Sequence, residues 1–539
     1  MLSCHNEIDK MKKAIYVAIA LLTTLCAPAQ TVQERTQLNL AVQKIGTTLM
    51  AIKGLYIDTT NIAQLTDETI KSILAQLDPH SSYSTAEETK KLTEPLNSNF
   101  EGIGVQFNVI SDTLVVIQPV SKGPSEKAGI IAGDRIISVN DTAIAGVKMP
   151  REQMMKRLRG PKGTEVMLGI KRRGVDETLQ FRIIRDKIPL HSVDAAYMIR
   201  PDVGIIHLAN FASSTQEELH EAIINLKKKG MQSLILDLQQ NGGGYLEAAS
   251  AVASEFLQKG DLVVYTDGRS VPKQRSVASG KGIFTDGRLI ILVDEYTASA
   301  AEIVSGAVQD HDRGTIIGRR TFGKGLVQRP IELPDGSMVR LTVSHYYTPA
   351  GRCIQKPYVK GQKKEYDLDM VNRFNNGELM HLDSIHFADS LKCYTLKQHR
   401  TIYGGGGIMP DVFVPLDTTV YTNYYRTLSR KNVILDTYMP YFDNNRKQLA
   451  SEYKKFEKFR ESFEVPQALL DSIVSRGEKM DVRPADEAER IQTIDRLKII
   501  LKGLFARDLW ELSEYYAIVD EHNDIIKRAL QQLDSEKQK

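Results

Sequence analysis

"GRLIILVDEYTASAAEIVSGAVQD", residues 287–310, changes character halfway along. Its first seven residues form a short apolar run rich in branched side chains, and residues 298–310 have helical composition with an apolar stripe. The order is strand, sharp turn, helix, with Ser299 at the turn. Ser299-Ala300-Ala301-Glu302 fits S-x-x-E, the capping box in which serine and glutamate satisfy orphan amides of a starting helix. The same position suits a nucleophile, because the serine is exposed at a sheet edge and the next amides lie at the positive end of the helix. The stretch alone leaves both roles open.

The surroundings set the fold class. "VGIIHLANF" precedes "TQEELHEAIINLKKKG", "SLILDL" precedes the turn Gly242-Gly243-Gly244 and "YLEAASAVASEFLQKG", and "GTIIG" follows the Ser299 helix. Such alternation predicts an α/β core with a largely parallel sheet. Upstream, between Asn99 and Lys187, the pattern is one of short β runs ("GVQFNVI", "TLVVIQPV", "DRIISVN", "EVMLGIKR", "TLQFRII") broken by two short helical pieces. Residues 35–95 read as helical, with one helix ending at Asp78-Pro79, where proline opposes continuation. The expected organisation is multidomain α/β: a helical N-terminal region at 30–97, a β-rich unit at 98–187, the α/β core at 188–417 with a polar, irregular insertion at 356–401, and a charged helical region at 418–539.

Composition narrows the partners. A chain of 539 residues with 42% hydrophobic residues can bury roughly three cores. A net charge of +3 and the lack of a dense Lys/Arg stripe interleaved with aromatics argue against nucleic acid. Met11-Lys12-Lys13, the apolar run Ala14 to Leu25 and Ala27-Pro28-Ala29 predict a signal peptide over 1–29, export to the periplasm and a mature chain starting near Gln30. Lipid anchoring at Cys26 is the weaker reading, because Leu25 is bulky for the residue before an acylated cysteine. Only Cys353 and Cys393 would then remain, free to pair in an oxidising compartment. Their spacing with His381 and His386 matches no zinc pattern, so no metal and no cofactor is expected.

A serine nucleophile needs a base. His311 ends the helix that Ser299 begins, and twelve residues of helix rise ~18 Å, which puts it out of reach. His207 and His345 remain open as bases, although each lies in a strand-like run that favours a packed histidine. "RRTFGKGLVQR" (319–329) places Lys324 between two glycines beside Phe322, Leu326 and Val327. To act as base the lysine must be neutral; its pKa of about 10.4 must fall by roughly 3, at a cost of about 4 kcal/mol, which desolvation can impose. Gln328, four residues on, is placed to hydrogen-bond and orient the amine. The glycine turn offers backbone amides to an anionic oxygen.

"DLQQNGGGYLEAA", "VDEYTASAAEI", "GRRTFGKGLVQ" and "YYTPAGRCIQ" together resemble the C-terminal processing peptidases, the carboxyl-terminal proteases of the S41 serine peptidase family. The resemblance runs from "LDPHSSY" (77–83) to "GGGGIMPDV" (404–412), and the serine and lysine stand twenty-five positions apart as in that family. It implies a core of the ClpP/crotonase kind, with Ser299 as nucleophile, Lys324 as general base, Gln328 as its orienter, and Gly243 and Ala300 amides as the oxyanion hole. Gly242 replaces a proline common in the family, and the 356–401 insertion is a second departure; neither is expected to touch the dyad. "FEGIGVQF" (100–107) and "PSEKAGIIAGDRIISVN" (124–140) resemble a PDZ domain, which implies Gly102, Ile103 and Gly104 as the loop that captures a peptide carboxylate.

The expected function is a serine endopeptidase that recognises free C-terminal segments of exported proteins through its PDZ domain and cleaves them with a Ser-Lys dyad. The rivals are a non-catalytic peptide-binding scaffold and a degradative protease of the tricorn kind. The helical regions at both ends are the candidates for a homodimer contact, and an activator or adaptor is left open.

Overall fold

The computed structural model describes residues 32–110 and 112–537. The expected export segment, with Met11, Cys26 and Gln30, lies outside them. Two helices open the described chain, α1 (Val32–Leu55) and α2 (Ile62–Ala75), followed by strand β1 (Ser82–Ser84) and helix α3 (Ala86–Leu96). No residue of α1 is buried. Helix α2 stops at Ala75 rather than at Asp78-Pro79. Asp78 instead organises the next turn: its carboxylate accepts bonds from the His80 and Ser81 amides, both at 2.9 Å, and from the Ser81 hydroxyl.

The β-rich unit is a sheet in the order β2 (Val105–Ile110), β3 (Thr113–Pro119), β4 (Arg135–Val139), β5 (Glu165–Lys171), β6 (Leu179–Ile184), all antiparallel, so β2 is an edge strand. Helix α4 (Arg151–Leu158) covers its inner face, burying Met154 and Leu158 against Leu114, Val116, Ile136 and Val166. Side chains of a strand alternate between faces, so Val105, Phe107 and Val109 turn inward to this core while Asn108 and Ile110 turn the other way.

The α/β core is a six-stranded sheet in the order β7 (Val193–Arg200), β8 (Val203–Leu208), β9 (Ser233–Asp237), β12 (Arg288–Val293), β13 (Thr315–Gly318), β16 (Val412–Phe413). Its first pair is antiparallel and every other pair is parallel, as the alternating pattern predicted. Both faces are covered, which is why its strands read as unbroken apolar runs. Ile206, Leu234, Leu236, Ile291 and Val293 meet helices α5 (Thr215–Lys228), α6 (Leu246–Ala253) and α7 (Ala300–Asp310). Ile205, Ile235, Ile290, Leu292 and Ile317 meet Ile525, Ile526, Ala529 and Leu533 of the last helix, Asp524–Lys537. Each such side chain contributes about 1.5–3 kcal/mol when fully buried.

A second sheet departs from the expected parallel order. Strands β10 (Leu262–Asp267), β11 (Gln274–Val277), β14 (Leu326–Glu332) and β15 (Met338–Tyr347) join β1 in an antiparallel arrangement, β1-β15-β10-β11 with β14 also on β15. The insertion is more regular than its polarity suggests: it holds short helices at Lys363–Asp367 and Asp369–Asn375 and a two-stranded pair of Lys392–Tyr394 with Thr401–Tyr403. The C-terminal region is helical as expected, with its own core of Tyr438, Phe442, Phe459, Leu497, Leu501 and Phe505.

Candidate active site

Ser299 sits where β12 gives way to α7. Asp294 shapes the turn by accepting from the Gln240, Tyr296 and Thr297 amides at 3.0–3.1 Å. Ser299 itself has φ 57° and ψ −115°, a backbone conformation that costs a side-chain-bearing residue about 1–3 kcal/mol. Its amide donates to Glu302 Oε2 at 2.8 Å, the glutamate half of the capping box.

Glu302 does more than cap. Every residue of α7 is buried, and the Glu302 carboxylate is fully enclosed. Besides Ser299 it accepts from the Thr321 hydroxyl at 2.5 Å, the Gly323 amide at 2.8 Å and the Lys324 amide at 2.9 Å. Burial pushes its pKa up, and these four donors oppose the rise. The loop carrying Lys324 is therefore bolted to the first turn of the serine helix. The Tyr346 hydroxyl adds a second tie, lying 2.6 Å from Lys324 O and 3.1 Å from Ser299 O.

The Lys324 amine takes no part in an ion pair or hydrogen bond among the described residues. Burial lowers its pKa from the ordinary lysine value, and the Arg340 charge lowers it further, against the opposing pull of Glu302 and Asp78. The expected contact from Gln328 to this amine is not made. The Gln328 side-chain amide donates to Thr342 Oγ1 at 3.3 Å, and the Thr342 hydroxyl donates to Asp78 at 2.8 Å. The cause is register: an irregularity between Val327 and Gln328 sets Gln328 opposite Thr342 on β15.

Gly243 and Ala300 flank the serine. A Cβ on Gly243 would lie 2.8 Å from both Ala298 O and Ser299 Cβ, and its φ of +98° also favours glycine. Its amide, however, is not free as the glycine turn suggested: it donates to Asn241 Oδ1 at 2.9 Å, and Asn241 is fully buried with its own amide on Leu208 O. The Ala300 amide has no partner among the described residues.

Among the described residues the insertion bonds to neither Ser299 nor Lys324 but packs on the loop just before the lysine. Arg373 donates to Thr321 O and Arg320 O, and Tyr366 approaches Phe322 edge-on. Just before it, Gln355 accepts from the Gly325 amide at 2.9 Å and donates to Tyr366 Oη, which pairs with His80 Nε2 at 2.8 Å. His80 is neutral: burial pulls its pKa down to about 3. Two of the other candidate histidines have structural partners. His311 bonds Leu262 O, and His207 lies between Asp237 and Asp520 at 2.8 and 2.7 Å. Burial alone would lower the His207 pKa, but those two carboxylates raise it to about 10. Cys353 and Cys393 are both free thiols.

In the β-rich unit the carbonyls of the Gly102–Gly104 loop are pinned inward. Ile103 O accepts from the Ser125 amide and hydroxyl at 3.1 and 2.7 Å, and Gly104 O from the Val120 amide at 3.0 Å. The N–H groups of Ile103 and Gly104 have no partner among the described residues. They lie at the start of the edge strand β2, which suits capture of a terminal carboxylate.

Three stretches of the chain match known families. Residues 202–363 match peptidase family S41, residues 102–183 match the PDZ domain, and residues 424–511 match a family of unknown function, DUF8443. The carboxy-terminal-processing protease of Bartonella bacilliformis is 34% identical over 64% of this chain and 80% of its own length. The carboxy-terminal processing protease CtpA of Bacillus subtilis is 36% identical over 58% of this chain and 66% of its own length. A solved photosystem II D1 C-terminal processing protease is 28% identical over 70% of this chain and 88% of that one, with a TM-score of 0.33. At that identity and coverage to the curated relatives, the chain belongs to the carboxy-terminal processing proteases of peptidase family S41, serine-type endopeptidases that carry a PDZ domain.

Proposed function

We propose that this protease cleaves with a Ser299–Lys324 dyad. The observation that carries the reading is the shared Glu302 carboxylate, which fixes the backbones of both residues, together with a desolvated lysine amine that no carboxylate pairs among the described residues. Ser299 Oγ attacks the scissile carbonyl carbon while its proton passes to neutral Lys324 Nζ. The tetrahedral oxyanion is met by the Ala300 N–H at the helix start and by Gly243 N–H, once the latter leaves Asn241. Collapse breaks the C–N bond, and the lysine returns the proton to the leaving amine. Water, deprotonated by the same lysine, then releases the acyl-enzyme. Gln328 acts on the lysine at one remove, through Thr342 and Asp78.

Substrates are captured by their C-terminal carboxylate on the Ile103 and Gly104 amides, with the peptide adding a strand to β2. They are exported proteins, the chain itself being exported by residues 1–29. Peptide mapping of the secreted protein should find Gln30 at the mature terminus; a lipid-modified Cys26 would overturn that. Labelling by a fluorophosphonate tests the dyad: wild type should label at Ser299, and Ser299→Ala and Lys324→Arg should not. A labelled Lys324→Arg would refute the lysine base.

A further inference from the structure

The C-terminal helices touch both other units, and they do so by different physics. Toward the peptidase sheet the contact is a buried apolar seam with a polar cluster beside it. Ile525, Ile526, Ala529 and Leu533 are buried under the sheet. The Tyr516 ring stacks on His207 at 4.0 Å, and the Asp520 carboxylate takes bonds from His207 and from Tyr197 at 2.6 Å. Breaking that contact would leave the Asp520 carboxylate without its two donors and His207 with Asp237 alone.

Toward the PDZ domain the contact joins two partly buried apolar side chains, Ile110 and Ile117, to a set of polar groups that solvent reaches. It is made by one face of helix α8 (Val433–Glu452), whose Met439, Asp443 and Arg446 are spaced four and three residues apart and so share a side. Asn108 donates to Met439 Sδ at 3.2 Å, Arg135 pairs with Asp443 at 2.5 Å, and Arg446 donates to Ile117 O at 3.1 Å. Arg173 adds bonds to Asp443 O and to Asn444 Oδ1. The Arg135 and Asp443 side chains keep 31% and 16% of their exposure, so solvent and salt reach the pair. Asn108 and Arg135 lie on the outer face of the sheet, opposite α4, and Arg173 in the turn after β5.

We propose that the C-terminal helices are a brace that sets where the PDZ domain stands over the peptidase sheet, anchored at the sheet by residues 516–533 and latched releasably to the PDZ domain through Arg135 and Asp443, the latter within the stretch matched by the family of unknown function. Its consequence for turnover rests on the reading above that the PDZ domain holds the substrate's end: with the latch closed, a captured C-terminus is presented at a set distance from Ser299. With it open, the PDZ domain is held by its chain links, by the α3 ion pairs Lys91–Glu152, Lys156–Glu87 and Arg159–Glu94, and by the packing of Ile110 and Ile117.

Charge reversal and charge swap test this in the full-length protein, with small-angle X-ray scattering as one readout and cleavage as the other. Arg135→Glu or Asp443→Arg should increase the radius of gyration. Each should also lower kcat/KM for a long substrate with a free C-terminus by roughly fivefold, the scale of a partly exposed ion pair. Hydrolysis of a short internal peptide should stay within about twofold of wild type, which also shows that the core remains folded. The swap, Arg135→Asp with Asp443→Arg, should restore both readouts, whereas a merely local surface pair would give no change to restore. A radius of gyration unchanged in both reversals, or a swap that restores nothing, would overturn the brace. Expansion that the swap reverses, with long-substrate cleavage unaffected throughout, would uphold the brace and count against C-terminal capture by the PDZ domain.

Discussion

Ser299 and Lys324, twenty-five positions apart in the chain, donate their backbone amides to the same oxygen, Glu302 Oε2, at 2.8 and 2.9 Å. A buried carboxylate with several donors is costly to lose, because each donor left behind is desolvated without compensation. The relative position of nucleophile and base therefore depends on a third side chain that need touch neither reacting atom.

Glu302→Gln should lower kcat/KM by about a hundredfold or more while Ser299 and Lys324 remain. Its amide NH2 would face N–H donors where a carboxylate oxygen stood. Thermal unfolding should show a loss of about 1–3 kcal/mol, the cost of a buried unsatisfied group. Full fluorophosphonate labelling of this variant at the wild-type rate would show that the shared carboxylate does not position the pair.

Lys324 makes a prediction in pH. Its pKa is lowered in the folded chain, so the neutral, competent base appears below the ordinary lysine range, and kcat/KM should rise with pH through that lowered value. Stability carries the same sign. The unfolded chain binds the lysine proton more readily than the folded one, so Lys324→Met should stabilise the fold most below the lowered pKa, and the gain should vanish as pH rises past about 10.5. A gain independent of pH would mean the amine is solvated.

Gly243→Ala should be nearly inactive. The added methyl would sit 2.8 Å from Ser299 Cβ and from Ala298 O, at a φ that alanine adopts only with strain. A cost of about 1–3 kcal/mol in stability should accompany the loss, read by denaturant unfolding beside peptidase assay.

Gln328→Ala should cost less than tenfold in kcat, since its contact is with Thr342 and not with the lysine amine. Asp78→Asn acts further along the same chain of bonds and has a distinct signature. Removing that negative charge should lower the lysine pKa and move the pH–rate profile toward acid. Parallel profiles for wild type and Asp78→Asn would break the proposed link.

Amidation of a substrate's C-terminus should raise KM and lower kcat/KM, because the carboxylate's charge-assisted bonds to the Ile103 and Gly104 amides are lost. Steady-state comparison of the acid and the amide of one peptide checks it. Equal turnover would place recognition elsewhere.

Local chemistry carried much of this protein into view before any contact was known. The apolar run and helical stripe of 287–310 specify strand, turn and helix because side-chain periodicity is a property of the backbone alone. The alternation around them specifies the parallel sheet, the Ser299–Lys324 spacing marks the family, and the glycine loop before β2 marks the PDZ domain. What depended on distant partners was decided by tertiary structure. Gln328 meets Thr342 because an irregularity in strand pairing puts it there, and Gly243 gives its amide to Asn241 because both are enclosed in one turn. The polar insertion docks on the Lys324 loop through Arg373, a contact that hydrophobic pattern cannot announce because it is made of charge and carbonyl. Glu302 read as a helix cap and is that, but its other three bonds come from residues 321–324, brought to it only when β13 joins the sheet beside β12.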